Sequence, residues 1–199
     1  MDASSLRIAL FSGNYNYVRD GANQALNRLV GYLLRSGATV RVYSATTPTP
    51  AFPATGDLVS VPSFPLPGGR GEYRFALGLP GSIRRDLEAF APNLVHVSAP
   101  DFLGHRAVSY ARKRNIPVVA SMHTRFETYP RYYGLAFLEP AIEAMLRRFY
   151  RRCDAVAAPS ESMAQVLREQ RMSYNIGIWK RGIDREIFNA GRRDLHWRQ

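Results

Sequence analysis

The sequence predicts an α/β protein built on a doubly wound, mostly parallel Rossmann-like sheet with helices on both faces. Three observations predict it. Short apolar runs recur along the chain and read as buried strands. Between them stand longer stretches whose apolar residues repeat at helical spacing. Strand and helix alternate from the first run to the last, the order a parallel sheet requires.

Arg7–Ser12 is the first apolar run. Residues 13–21 follow as a polar loop that contains Tyr15, Asp20 and Gly21. Ala22, Ala25, Leu26, Leu29, Leu33 and Leu34 then share one helical face, and Gly37 is placed to end that helix. Thr39–Ser44 is the second strand, which completes a unit of the length a parallel crossover needs. The stretch 46–80 is rich in Pro and Gly, with a short strand predicted over 58–61. Within it, residues 62–79 mix Phe64, Leu66, Tyr73, Phe75, Leu77 and Leu79 with Arg70 and Arg74. Apolar and basic residues together suit a mobile loop that touches an anionic membrane surface; the alternative is packing on the domain's own core.

A helix is predicted over 82–90, stopped by Pro92. Leu94–Val97 is a strand, and His96 inside it reads as a core histidine. Leu103, Ala107, Tyr110 and Ala111 mark the next helix face. Residues 118–122 form another buried strand. A helix over 138–153 places Leu138, Ile142, Met145, Leu146, Phe149 and Cys153 on one face. Residues 154–158 are a strand, Ser160 caps the helix after it, and 175–180 is the last strand.

Composition narrows the function. No apolar run approaches the ~18 residues of a membrane span, and residues 1–5 lack a secretory signature. A cytoplasmic location is expected, extending to peripheral attachment at the inner face of the membrane. Cys153 stands alone, so no internal disulfide forms. One Cys and scattered His predict no metal site. The formal net charge is +11, and all basic residues except Lys113 and Lys180 are Arg. They stand in small groups such as Arg84-Arg85 and Arg147-Arg148, as on solvated helix faces. No nucleic-acid-binding motif accompanies them, so nucleic acid is not an expected partner. Gly-x-Gly-x-x-Gly is absent, which argues against a dinucleotide-dependent oxidoreductase.

The most informative stretch is 117–134. It begins as a buried strand and changes abruptly into His123, Thr124, Arg125, Glu127, Tyr129, Tyr132 and Tyr133. Polar and aromatic groups delivered at a strand's C-terminal end are how open α/β sheets build ligand sites. The run His123, Thr124, Phe126, Tyr129, Tyr132-Tyr133-Gly134 resembles retaining glycosyltransferases of family 4 with the GT-B fold. The nearest subgroup includes GDP-mannose-dependent α-mannosyltransferases and sulfoquinovosyl-diacylglycerol synthases. Further matches are Val95-His96 with Pro100 and Leu103-Gly104, Pro159-Ser160-Glu161-Ser162, and Arg181-Gly182-Ile183-Asp184 with Phe188.

The resemblance implies a hexosyltransferase that uses a nucleotide-sugar, GDP-mannose or a UDP-hexose, as co-substrate and a lipid or glycan as acceptor. No cofactor and no metal are expected. Residues 1–188 would be the acceptor-side N-terminal domain, and 189–199 the start of a linker to a second domain that holds most of the nucleotide site. The chain alone would then fold without transferring sugar. By the same resemblance, His123 is the catalytic candidate, as a contact to the transferred sugar. Gly21 lets the first loop approach the donor phosphates. Tyr15, Asp20 and Asn23 are candidate substrate contacts in that loop, and Arg125, Glu127 and Tyr129 shape the acceptor side. The rival from another class is a non-catalytic α/β module that binds a partner or an anionic surface.

Overall fold

The computed structural model describes residues 2–66, 73–183, 188–193 and 196. Strand β1 (Arg7–Ser12) leads into helix α1 (Gly21–Arg35), then β2 (Thr39–Ser44) and β3 (Asp57–Ser60). A short pair follows, β4 (Ser63–Pro65) and β5 (Arg74–Ala76). The rest alternates: α2 (Gly81–Phe90), β6 (Leu94–Val97), α3 (Phe102–Lys113), β7 (Val118–Ser121), α4 (Glu139–Tyr150), β8 (Ala155–Ala158), α5 (Glu161–Glu169) and β9 (Ile176–Ile178).

Seven strands form one sheet in the order β3-β2-β1-β6-β7-β8-β9. Every pairing in it is parallel. The chain moves outward from β1 to β3, then returns to the other side of β1 at β6. The strand order therefore reverses between β1 and β6, the position at which open α/β sheets take their ligands.

Side chains alternate across each strand. Ile8 and Leu10 join Leu26 and Val30 of α1 in one apolar cluster. Ala9 and Phe11 join Leu87, Leu103, Phe149 and Leu167, from α2, α3, α4 and α5, in a larger one. One helix thus packs on the first face and four on the second. At the start of α1, the Asp20 carboxylate accepts from the Asn23 N–H at 2.8 Å, a cap worth about 1 kcal/mol. The chain leaves the helix through Gly37, whose φ of +92° is open to glycine without strain.

Two segments differ from the sequence reading. Residues 63–76 contain an antiparallel hairpin, β4 on β5, where a loop is predicted. Ala76 and Leu79 are buried, whereas Phe64, Tyr73, Phe75 and Leu77 stay exposed. Arg70 lies outside the described residues. Of the predicted helix face over 138–153, Leu138, just before α4, and Met145 within it are exposed, whereas Leu146, Phe149 and Cys153 are buried. Tyr150 joins them, so the buried stripe is rotated toward Tyr150.

Candidate active site

Because the sheet is parallel, the loops after β1, β6, β7, β8 and β9 share one edge. Gly13 ends β1 beside Asp101, which follows β6. A Cβ on Gly13 would collide with Asp101 Oδ2. The other carboxylate oxygen, Oδ1, accepts from the Gly104 N–H at 2.7 Å and caps α3. Burial raises the Asp101 pKa to about 6, against the lowering effect of those backbone bonds. Across the same loop, the α1 N-terminus is open. Gly21 is exposed, and a Cβ there would meet nothing within 4 Å. A helix N-terminus with clear space beside it suits a phosphate.

His123 stands just past β7. Its Nε2 is 3.0 Å from Ser121 Oγ, and its ring meets Trp179 edge-on at 5.8 Å between centroids. Burial, with the Arg181 and His96 charges adding to it, pulls its pKa down to about 3. The ring is therefore neutral at pH 7. The chain then leaves β9 through Arg181 and Gly182, at φ +63° and +66°. For Arg181 that left-handed conformation costs about 1 kcal/mol, strain of the kind that gathers at functional sites.

Among the described residues, four buried side-chain atoms at this edge lack a hydrogen-bond partner: Asn14 Nδ2, Thr47 Oγ1, His123 Nδ1 and Arg181 Nε. They follow β1, β2, β7 and β9. Each such atom costs about 1–3 kcal/mol. A polar ligand at the strand edge would supply the missing partners.

The remaining sequence candidates divide. Tyr15 is wholly buried and donates to the Thr55 carbonyl at 2.7 Å. Asn23 is buried and donates to the Val18 carbonyl. Both hold the first loop in shape, and neither side chain reaches its surface; Asp20 is the α1 cap. Glu127 is 1% exposed, with its carboxylate taken by Arg125 at 2.7 Å. It anchors Arg125 beneath the 3-10 stretch Phe126–Tyr133. Tyr129 is exposed and packs edge-on against Phe126. His123 and Arg181 therefore interact at this edge, Gly21 opens α1 at the end of the loop after β1, and Arg125 and Tyr129 stand on the segment that follows His123. Ser121 and Asp101 are additions that the sequence reading passed over. The available signal was a serine two residues before His123 on one strand face, and an Asp three residues before Gly104. Asp184 lies outside the described residues.

Glu161 and Glu169 stand eight positions apart. Both are exposed on α5, where Glu161 pairs with Arg168 and Glu169 accepts from Gln165. On one helix that spacing separates them by about 12 Å along the axis, so they read as solvated surface. Among the described residues, no group of three His, Cys, Asp or Glu gathers as metal ligands.

Fold and edge together define a Rossmann-like domain with polar loops gathered at the C-terminal edge of its sheet. Residues 19–187 match the model of Glycosyltransferase Family 4, and the chain belongs to that family. It is 28% identical over 197 residues to the GDP-mannose-dependent alpha-mannosyltransferase of Mycolicibacterium smegmatis, covering 98% of this chain and 52% of that protein. It is 26% identical over 187 residues to the sulfoquinovosyl transferase SQD2 of Arabidopsis thaliana, covering 92% and 36%. The chain thus spans about half or less of the length of these relatives. Among solved structures, the sucrose-phosphate synthase from Thermosynechococcus elongatus superposes with a TM-score of 0.57 at 13% identity, over 86% of this chain and 47% of that one. An alpha-glucosyltransferase in complex with UDP and DNA reaches 0.53 at 13% identity, over 90% and 43%. These two show the fold alone, the one found in GT-B glycosyltransferases.

Proposed function

We propose that the chain forms the acceptor-side half of a retaining glycosyltransferase that moves a hexose from GDP-mannose or a UDP-hexose to a lipid or glycan acceptor. Family membership and the named transferases it resembles support this reading. The observation that carries it is the set of unpartnered buried polar atoms at the switch-point edge, beside an open helix N-terminus.

In this reading the diphosphate lies toward Gly21, where backbone N–H groups and the helix dipole favour negative charge. His123, neutral and fixed to the sheet, offers Nδ1 to the sugar being transferred. Arg181 adds positive charge near the departing phosphate. The acceptor hydroxyl attacks the anomeric carbon as the carbon–oxygen bond to the diphosphate breaks, and the leaving phosphate takes the hydroxyl proton. The protein's share is orientation and electrostatic stabilisation. Acceptors reach the site from an anionic membrane surface, met by the β4–β5 hairpin.

The test is His123→Ala in a protein that joins this chain to its second domain. Turnover should fall about 10²-fold, or about 2.7 kcal/mol, with the melting temperature nearly unchanged. Unfolding of the variant with normal activity per folded molecule would make His123 a core residue only.

A further inference from the structure

His123 is tethered to the sheet through a hydroxyl that is already shared. Ser121 Oγ lies 2.9 Å from His96 Nε2 and 3.0 Å from His123 Nε2. His96 sits on β6, Ser121 on the neighbouring β7, where His96 is in register with Val119. Both His96 and Ser121 are buried. The tether is therefore anchored in two adjacent strands, not in the loop that carries His123.

Proton counting limits what this chain of contacts can be. A serine hydroxyl has one proton to donate and two lone pairs to accept with. A neutral imidazole has one N–H, on Nδ1 or on Nε2. Both rings are neutral at pH 7, because burial pulls His96 down to about 4 and His123 to about 3. If both rings donated from Nε2, the buried serine proton would be stranded, since no other acceptor for it appears among the described residues. If neither donated, one contact would have no proton. The remaining arrangements run in one direction: one ring donates to Oγ, and Oγ–H donates to the other ring. One histidine then carries its proton on Nε2 and the other on Nδ1.

We propose that Ser121 is a positioning residue that locks His96 and His123 in opposite tautomers and leaves His123 Nδ1 as a bare acceptor for a ligand hydroxyl. The direction follows from charge. The Arg181 cation acts on the His123 ring. A positive charge disfavours an outward N–H and favours a lone pair. His123 thus donates from Nε2 to Ser121, Ser121 donates to His96 Nε2, and His96 holds its proton on Nδ1. A hydroxyl is the group that matches the result. Its O–H donates to His123 Nδ1, and its oxygen accepts from an N–H such as Arg181 Nε, which also lacks a partner. A ligand group able only to accept would leave Nδ1 unsatisfied.

The choice of a sugar hydroxyl rests on the reading of this edge as a glycosyl site, but the tautomers are set by the fold and can be measured without a sugar. Long-range proton–nitrogen correlation on the 15N-labelled 199-residue chain at pH 7 reads them directly, with His96→Gln and His123→Gln assigning the signals. The expected spectrum has His123 protonated on Nε2 and His96 on Nδ1. Both rings in one tautomer, or a proton on His123 Nδ1, would overturn the proposal. Ser121→Ala should release His123 into exchanging tautomers in a chain that still folds, and Ser121→Thr should restore the single form. An unaltered His123 signal in Ser121→Ala would also overturn it. Should that variant not fold, the wild-type spectrum decides alone. If the joined two-domain protein transfers no sugar, the glycosyl reading fails while opposite tautomers stand. If the tautomers agree, Ser121 loses this role and the glycosyl reading stands.

Discussion

His96 is sealed inside the sheet, and its imidazole stays neutral far below the pH at which an exposed histidine charges. Its folded pKa of about 4 lies below the unfolded value near 6.5. The unfolded chain therefore binds a proton across that interval that the native state does not, and stability falls as pH drops through it. Above about 6.5 the contribution is fully present. His123 acts with the same sign. Asp101 acts with the opposite one: its folded pKa of about 6 lies above its ordinary 3.8, so acid favours the native state there. Two histidines against one carboxyl leave a net loss in acid. His96→Gln should flatten the stability profile between pH ~4.5 and ~6 by about one proton, roughly 1.4 kcal/mol per pH unit. Urea unfolding at stepped pH would show it, and an unchanged slope would mean that His96 already charges in the folded protein. The sequence marks His96 as a core residue from its place inside a strand, and His123 as a site residue from the polar cluster after it and from the family resemblance. Their link through Ser121 is invisible there, because it depends on the register of β6 on β7.

Among the elements, the β4–β5 hairpin is half core and half surface. Ala76 and Leu79 are buried, while Phe64, Phe75 and Phe102 line up outside with centroids 5.4 and 5.7 Å apart. Arg74 is spent on Ser63, through both its Oγ and its carbonyl. The nearby positive charge comes from a groove of about 220 Å³ between α2 and α3, lined by Arg84, Arg106, Lys113 and Arg114 with one carboxylate, Glu88. An aromatic row beside a basic groove suits the boundary of an anionic bilayer. The chain should sediment with phosphatidylglycerol vesicles and not with phosphatidylcholine, and Phe75→Ser with Arg106→Glu should abolish the effect. No binding to anionic vesicles would assign the row to intramolecular packing. Strands and helices were readable here because local periodicity reports burial on an approximately known face. Tyr15 was not: what buries it is the Thr55 carbonyl, forty residues away. Around α4, Leu138 and Met145 follow the same spacing as the buried residues, and only tertiary packing reveals that Tyr150 takes an inner position.

For the whole molecule, a complete seven-stranded sheet with helices on both faces is a folding unit of ordinary domain size. If the chain is the acceptor-side half of the transferase proposed above, it should bind nucleotide-sugars no more tightly than about millimolar, roughly 4 kcal/mol. Calorimetric titration with GDP-mannose and UDP-glucose checks this, and micromolar affinity for either would place the donor site in this half. Among the described residues no helix is long and apolar enough to cross a membrane. The architecture was open to reading because each strand is a separate apolar run. The switch point was not, since the reversal between β1 and β6 is a property of strand order, and no local pattern encodes it.

The contact of Gly13 with Asp101 also has a mechanical side. One carboxylate fills the space over the first loop and caps the third helix. The loop cannot sink without dislodging the cap, and the helix cannot slide without lifting the loop. Close packing of this kind has discrete settings and little give. This corner of the sheet edge behaves as an anvil: it keeps its shape under whatever presses on it.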